Sequence, residues 1–70
     1  MSGDSYVTVT AIMRHRTIKA VRLETEECEP TWIPRSCIHG VDDPLIDSTD
    51  LDSEITLRII EWKARSEGLV

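Results

Sequence analysis

Phenylalanine is absent from this 70-residue chain, and tyrosine occurs once. With two tryptophans as its only other aromatics, the chain must build its core mainly from Ile, Val and Leu. A single core this small leaves little surplus stability, so a deep substrate cavity would remove packing it needs. That argues against an enzyme. Cysteine is scarce too: Cys28 and Cys37 are too few for a disulfide scaffold and are expected as free thiols. No apolar run approaches the roughly 20 residues of a membrane span. The opening MSGDSYVTV lacks the basic-then-apolar pattern of a secretory signal, so a cytoplasmic protein is expected.

Charge is present but uneven. Residues 1–22 carry four basic side chains against one acidic; residues 23–70 carry four against twelve. The net charge is −5, and the asymmetry bears on solubility and partner steering rather than on fold.

Ser5 to Met13 alternates with period two and is rich in β-branched residues, which predicts a strand with Val7, Val9, Ala11 and Met13 on one face. Arg14-His15-Arg16 is then expected as an exposed turn, and Thr17 to Thr25 as the second strand with Val21 and Leu23 inward. The acidic stretch Glu26 to Pro30 reads as the next turn. Thr31 to Pro34 is the third strand. Pro34 must end its ladder or lie at an edge, and Arg35 to Ile38 should make a 3₁₀-like turn tied by the Ser36 hydroxyl. Residues 39–53 read as an acidic loop tethered by Leu45-Ile46. Glu54 to Ile59 gives a fourth strand with Ile55, Leu57 and Ile59 on one face. A helical turn over 60–67 follows, stopped by Gly68 and held to the sheet by Trp62. Both Trp32 and Trp62 are expected as core pieces. The fold expected for the single domain 1–70 is mainly β: a small SH3-like or OB-like antiparallel barrel of four to five strands with a short C-terminal helix.

The chemistry-bearing residues form no catalytic constellation. Cys28, Cys37, His15 and His39 lack the spacing of a zinc site, and no Cys-x-x-Cys occurs. Cys37 and His39 share a strand face without an orienting third group. DSTDLDSE has the oxygens of a calcium loop but not its spacing or central glycine. No cofactor or metal is expected.

Two surfaces carry the functional readings. Asp42, Asp43, Asp47, Asp50, Asp52 and Glu54 form an acidic array able to imitate a phosphate backbone and occupy a protein's basic site. Arg14, Arg16, Lys19 and Arg22, with His15 among them and Trp32 nearby, form a basic face suited to single-stranded nucleic acid.

Three pieces of sequence resemble a group of short proteins encoded by tailed bacteriophages and prophages. They are Lys19-Ala20-Val21-Arg22-Leu23-Glu24, then Trp32-Ile33-Pro34-Arg35-Ser36-Cys37-Ile38-His39, then Glu61-Trp62-Lys63-Ala64 with Gly68-Leu69. Two positions depart from that group's pattern: Glu27-Cys28 stands where an Asp-Gly turn is usual, and Ile60 where proline is frequent. That group carries no established activity to transfer, so the resemblance bears on origin and fold. Taken with the small size, the missing catalytic constellation and the charge split, it leads to the expectation of a non-enzymatic phage-type accessory protein in the bacterial cytoplasm, which binds and inhibits a host or phage protein that handles nucleic acid through the acidic surface. Single-stranded nucleic-acid binding and a structural role in virion assembly are the alternatives. Trp32-Ile33-Pro34-Arg35-Ser36 is also similar to the end of the penultimate strand in SH3 domains, a likeness of shape. Only Tyr6, Trp32 and Trp62 could serve a polyproline ligand.

Overall fold

A computed structural model describes residues 5–70, so the opening tetrapeptide on which the reading of the chain's start partly rests lies outside it. The strands are β1 (Tyr6–Arg16), β2 (Ala20–Thr25), β3 (Cys28–Pro34) and β4 (Ser53–Ile60). They form one antiparallel sheet in the order β3-β2-β1-β4. A 3₁₀ turn (Arg35–Cys37) follows β3, α1 spans Asp43–Ser48, and α2 spans Glu61–Ser66. The expected mainly β class with a short C-terminal helix is the class observed.

The first strand is longer than its alternation predicts. Residues 6–13 pair with β4, and residues 12–16 pair with β2. The register slips between Met13 and His15, leaving Arg14 as the extra residue of a bulge. A bulge bends its strand and raises local twist. The long strand therefore serves two partners, and Arg14-His15-Arg16 is strand rather than turn. The turn falls at Thr17, whose Oγ1 accepts the amides of Lys19 and Ala20 at 3.2 and 3.0 Å. This hydroxyl-centred turn leaves Ile18 91% exposed at the tip. The second turn is only Glu26-Glu27, so Cys28 to Pro30 belong to β3.

Alternation places the core where the sequence put it. Val9, Ala11, Met13, Val21, Leu23, Ile33, Ile55, Leu57 and Ile59 are all buried. Ile38 and Ile46 join them from the connection that follows β3. Ile38 forms an isolated antiparallel bridge with Ile59, which carries the chain leaving β3 back onto β4 and curls the sheet toward closure.

The tryptophans do not enter this core. Trp32 is 42% and Trp62 60% exposed. Trp32 alternates out of register with buried Ile33, so one face of β3 cannot bury both. Helix α2 is instead seated by Ala64 and Leu69. Its end is a Schellman motif: Leu69 N–H donates to Ala64 O at 2.9 Å and Gly68 N–H to Arg65 O at 3.2 Å. Gly68 supplies the φ of +78° this requires. Glu67 then ties the helix to β3, accepting from Thr31 Oγ1 at 2.6 Å and Lys63 Nζ at 2.9 Å, while its carbonyl accepts the Cys28 thiol. Those contacts hold the Glu67 carboxyl below the usual range, the Thr31 hydroxyl contributing most.

Leu57→Ala is expected to cost about 2–5 kcal/mol by urea denaturation, the range for deleting a buried leucine. Trp62→Ala is expected to stay within about 1 kcal/mol, because exposed positions away from such features move stability little. A Trp62→Ala loss as large as that of Leu57→Ala would place the indole in the core after all.

Candidate functional site

Residues 39–53 are not a plain loop. Pro44 is placed in the first turn of α1, where its missing amide costs nothing, and Ile46 is fully buried beneath it. The rest of the segment is held by arginines projecting from the sheet and its 3₁₀ turn.

Asp42 meets Arg58 on the outer edge of β4. Its Oδ2 accepts both the Arg58 backbone amide and Nε at 2.9 Å, and its Oδ1 accepts Nη2 at 3.3 Å. The His39 amide donates to the Arg58 carbonyl at 2.9 Å. The β4 edge is thereby satisfied at this point rather than left as a template for pairing. The Arg58 side chain pulls the Asp42 carboxyl below its ordinary value, against the opposing effect of burial.

Arg35 takes two carboxylates. Its Nε and Nη2 donate to Asp43 at 2.9 and 3.1 Å, and its Nη1 and Nη2 to Asp47 at 3.1 and 2.9 Å. Its side chain is mostly buried between them. Asp47 and then Asp43 raise the Arg35 pKa, and Arg35 in turn lowers that of Asp47. Arg16 donates to the carbonyls of Ile46 and Thr49 at 3.2 and 2.6 Å, where the end of α1 leaves acceptors unpaired. Arg14, raised by the bulge, bridges Glu24 at 2.6 Å and Asp52 at 2.9 Å. Asp52 itself adopts a φ of 65°, and its amide donates to Met13 O at 2.6 Å.

Both sequence-predicted surfaces are therefore partly engaged from within. Of the acidic array, Asp42, Asp43, Asp47 and Asp52 pair with arginines; Asp50 and Glu54 make no ion pair among the described residues. The pairing does not hide them equally. Asp42 is largely covered, whereas Asp47 and Asp52 keep about two thirds of their side chains exposed. Sequence reasoning missed what lies between these carboxylates: Val41, Leu45 and Leu51 are exposed. Their alternation with Asp at 43, 47, 50 and 52 was the available signal. Of the basic face, Arg14 and Arg16 are engaged as described, while Lys19, Arg22 and Trp32 remain on the surface.

The soft ligands are scattered. His15 lies edge-on to Trp32 at 5.6 Å, His39 edge-on to Tyr6 at 4.9 Å, Cys28 faces Glu67, and Cys37 packs against the core from the 3₁₀ turn. Both cysteines are free thiols. Among the described residues no three His, Cys, Asp or Glu side chains converge as a metal site would require. The Ser36 hydroxyl makes no capping bond; the 3₁₀ turn closes through Ile38 N–H to Arg35 O at 3.1 Å.

Because the Asp42 carboxyl is depressed in the folded state, its contribution to stability is full above the ordinary carboxylate range and is lost as pH falls through the lowered value. Asp42→Ala is expected to lose about 1–3 kcal/mol at pH 7, since it strips a charged acceptor from three Arg58 donors, the backbone amide, Nε and Nη2. Asp42→Asn is expected to flatten the fall in stability on acidification below about pH 4. Urea midpoints at pH 7 and in acid check both; an unchanged acid dependence in Asp42→Asn would remove Asp42 as its source.

Comparison of the chain with protein families, with curated proteins and with solved structures returns no match.

Proposed function

We propose that the chain is a non-enzymatic binding module of the phage accessory type, which docks the acidic segment Asp42–Glu54 on the basic surface of a partner protein that handles nucleic acid. The observation that carries the reading is the pairing of rigidity with exposure in one segment. Arg14, Arg16, Arg35 and Arg58 tie it down, and Ile46 is buried beneath it. Yet Leu45 and Leu51 are each 43% exposed, beside carboxylates at Asp47, Asp50 and Asp52.

A surface held in advance loses little conformational freedom on binding. Aliphatic groups ringed by charge give contact area, and the carboxylates steer an oppositely charged partner and fix its register. Asp42 is excluded from the contact set because it is turned into Arg58. Inhibition follows where the occupied basic surface is the one that would otherwise meet phosphates.

The test is capture of a partner by the immobilised chain at physiological salt, followed by its variants. Leu45→Ser combined with Leu51→Ser is expected to weaken capture at least about tenfold, the effect of losing roughly 1.4 kcal/mol. Asp47→Asn with Asp50→Asn is expected to make capture less sensitive to salt. Undiminished capture by the doubly substituted, folded leucine variant would sink the reading.

A further inference from the structure

A second surface uses none of the residues of that segment. His15, Arg22 and Trp32 stand in one row across β1, β2 and β3, because His15 registers with Arg22 and Arg22 with Trp32. All three are exposed. The His15 ring meets the indole edge-on at an interplanar angle of 63°, which steadies Trp32 without covering it. Exposed Lys19 lies just ahead of β2, where its carbonyl meets the Arg35 amide, and is not part of the row. In the neighbouring register pair, small Ala20 stands opposite Pro34.

The cation of this row differs from the arginines that hold segment 39–53. Arg22 makes no ion pair or side-chain hydrogen bond among the described residues. Arg14, Arg16, Arg35 and Arg58 all do. The nearest carboxylate along the same face of β2, Glu24, is already held by Arg14 at 2.6 Å.

The backbone decides what can sit there. The amide of Arg35 points to β2, donating to Lys19 O at 2.8 Å. Amides alternate in direction along an antiparallel strand, so those of residues 32 and 34 point to the free edge of β3. Pro34 carries no N–H, and the β2–β3 register slips between Leu23 and Thr25, so the edge offers few regularly spaced donors. A strand added there gains few main-chain hydrogen bonds. Recognition falls mainly to the side chains of the row. An aromatic face beside an unpaired guanidinium matches a base and its flanking phosphate.

We propose that the row His15–Arg22–Trp32 binds single-stranded nucleic acid, one base stacked on Trp32 and a neighbouring phosphate on Arg22. Glu26 and Glu27 at the β2–β3 turn lie about 13 Å or more along β2 from Arg22 and bound the site, which therefore takes a segment of about two nucleotides. This inference is independent of the protein-docking reading.

Trp62→Phe leaves Trp32 as the only tryptophan and makes its fluorescence a direct report. Oligothymidylate of about ten nucleotides, added at about 20 mM salt, is expected to quench that signal saturably. Affinity should fall with salt at a logarithmic slope of about −0.7, the value for one phosphate contact on a single strand. Arg22→Ala should abolish the slope. Trp32→Ala, followed by anisotropy of a labelled oligonucleotide, should weaken binding by about 5- to 150-fold. No quenching at low salt would overturn the proposal. So would equal quenching by an oligoglutamate peptide, which would make the row a carboxylate-binding surface instead.

Discussion

Arg58 stands where the outer edge of β4 would otherwise offer a bare amide and carbonyl to any passing strand. Its amide and guanidinium are taken by Asp42, and its carbonyl by His39. One residue away, Ile38 bridges to Ile59. These contacts bind the far end of the sheet to the chain emerging from β3, so the curl of the sheet depends on them. At the other edge, Pro34 removes an outward donor, the register slips between Leu23 and Thr25, and Glu67 brings α2 against the start of the strand. Both edges of the small sheet are thereby made poorer templates for a further strand.

The same economy governs the charges. In a chain of net charge −5, most arginines are not surface decoration. Arg35 lies between two aspartates, Arg16 meets the trailing carbonyls of α1, and Arg14 joins Glu24 to Asp52 across the bulge. Exposed ion pairs contribute little singly, but Arg35 and Asp42 are largely covered and make several charge-assisted bonds each. The segment between β3 and β4 therefore behaves as part of the body. Its aliphatic side chains are displayed on a fixed support, as a contact surface needs to be.

What remains unengaged after this internal accounting is informative. Arg22 and Trp32 are left on the outer face of β2–β3 and Lys19 is exposed just ahead of β2, while the acidic remnants Asp50 and Glu54 lie on the segment leading into β4 and on β4 itself. The two proposed surfaces are separate sets of residues. The dipole visible in the residue order, basic over 1–22 and acidic beyond, survives folding in this reduced form.

Period-two alternation in Val7 to Met13, in Val21 and Leu23, and in Ile55 to Ile59 determined by itself which faces are buried, because strand side chains alternate whatever the partner strand is. Pro34 and Gly68 likewise announced a strand end and a helix stop through their own backbone limits. Only the tertiary structure decided the rest. The bulge at Arg14 depends on β1 serving two partners, and the exposure of Trp32 and Trp62 depends on isoleucine and leucine filling the interior first. Whether an aspartate faces solvent or an arginine 12 or 16 residues away is set by the path of the chain between them, which local sequence does not specify.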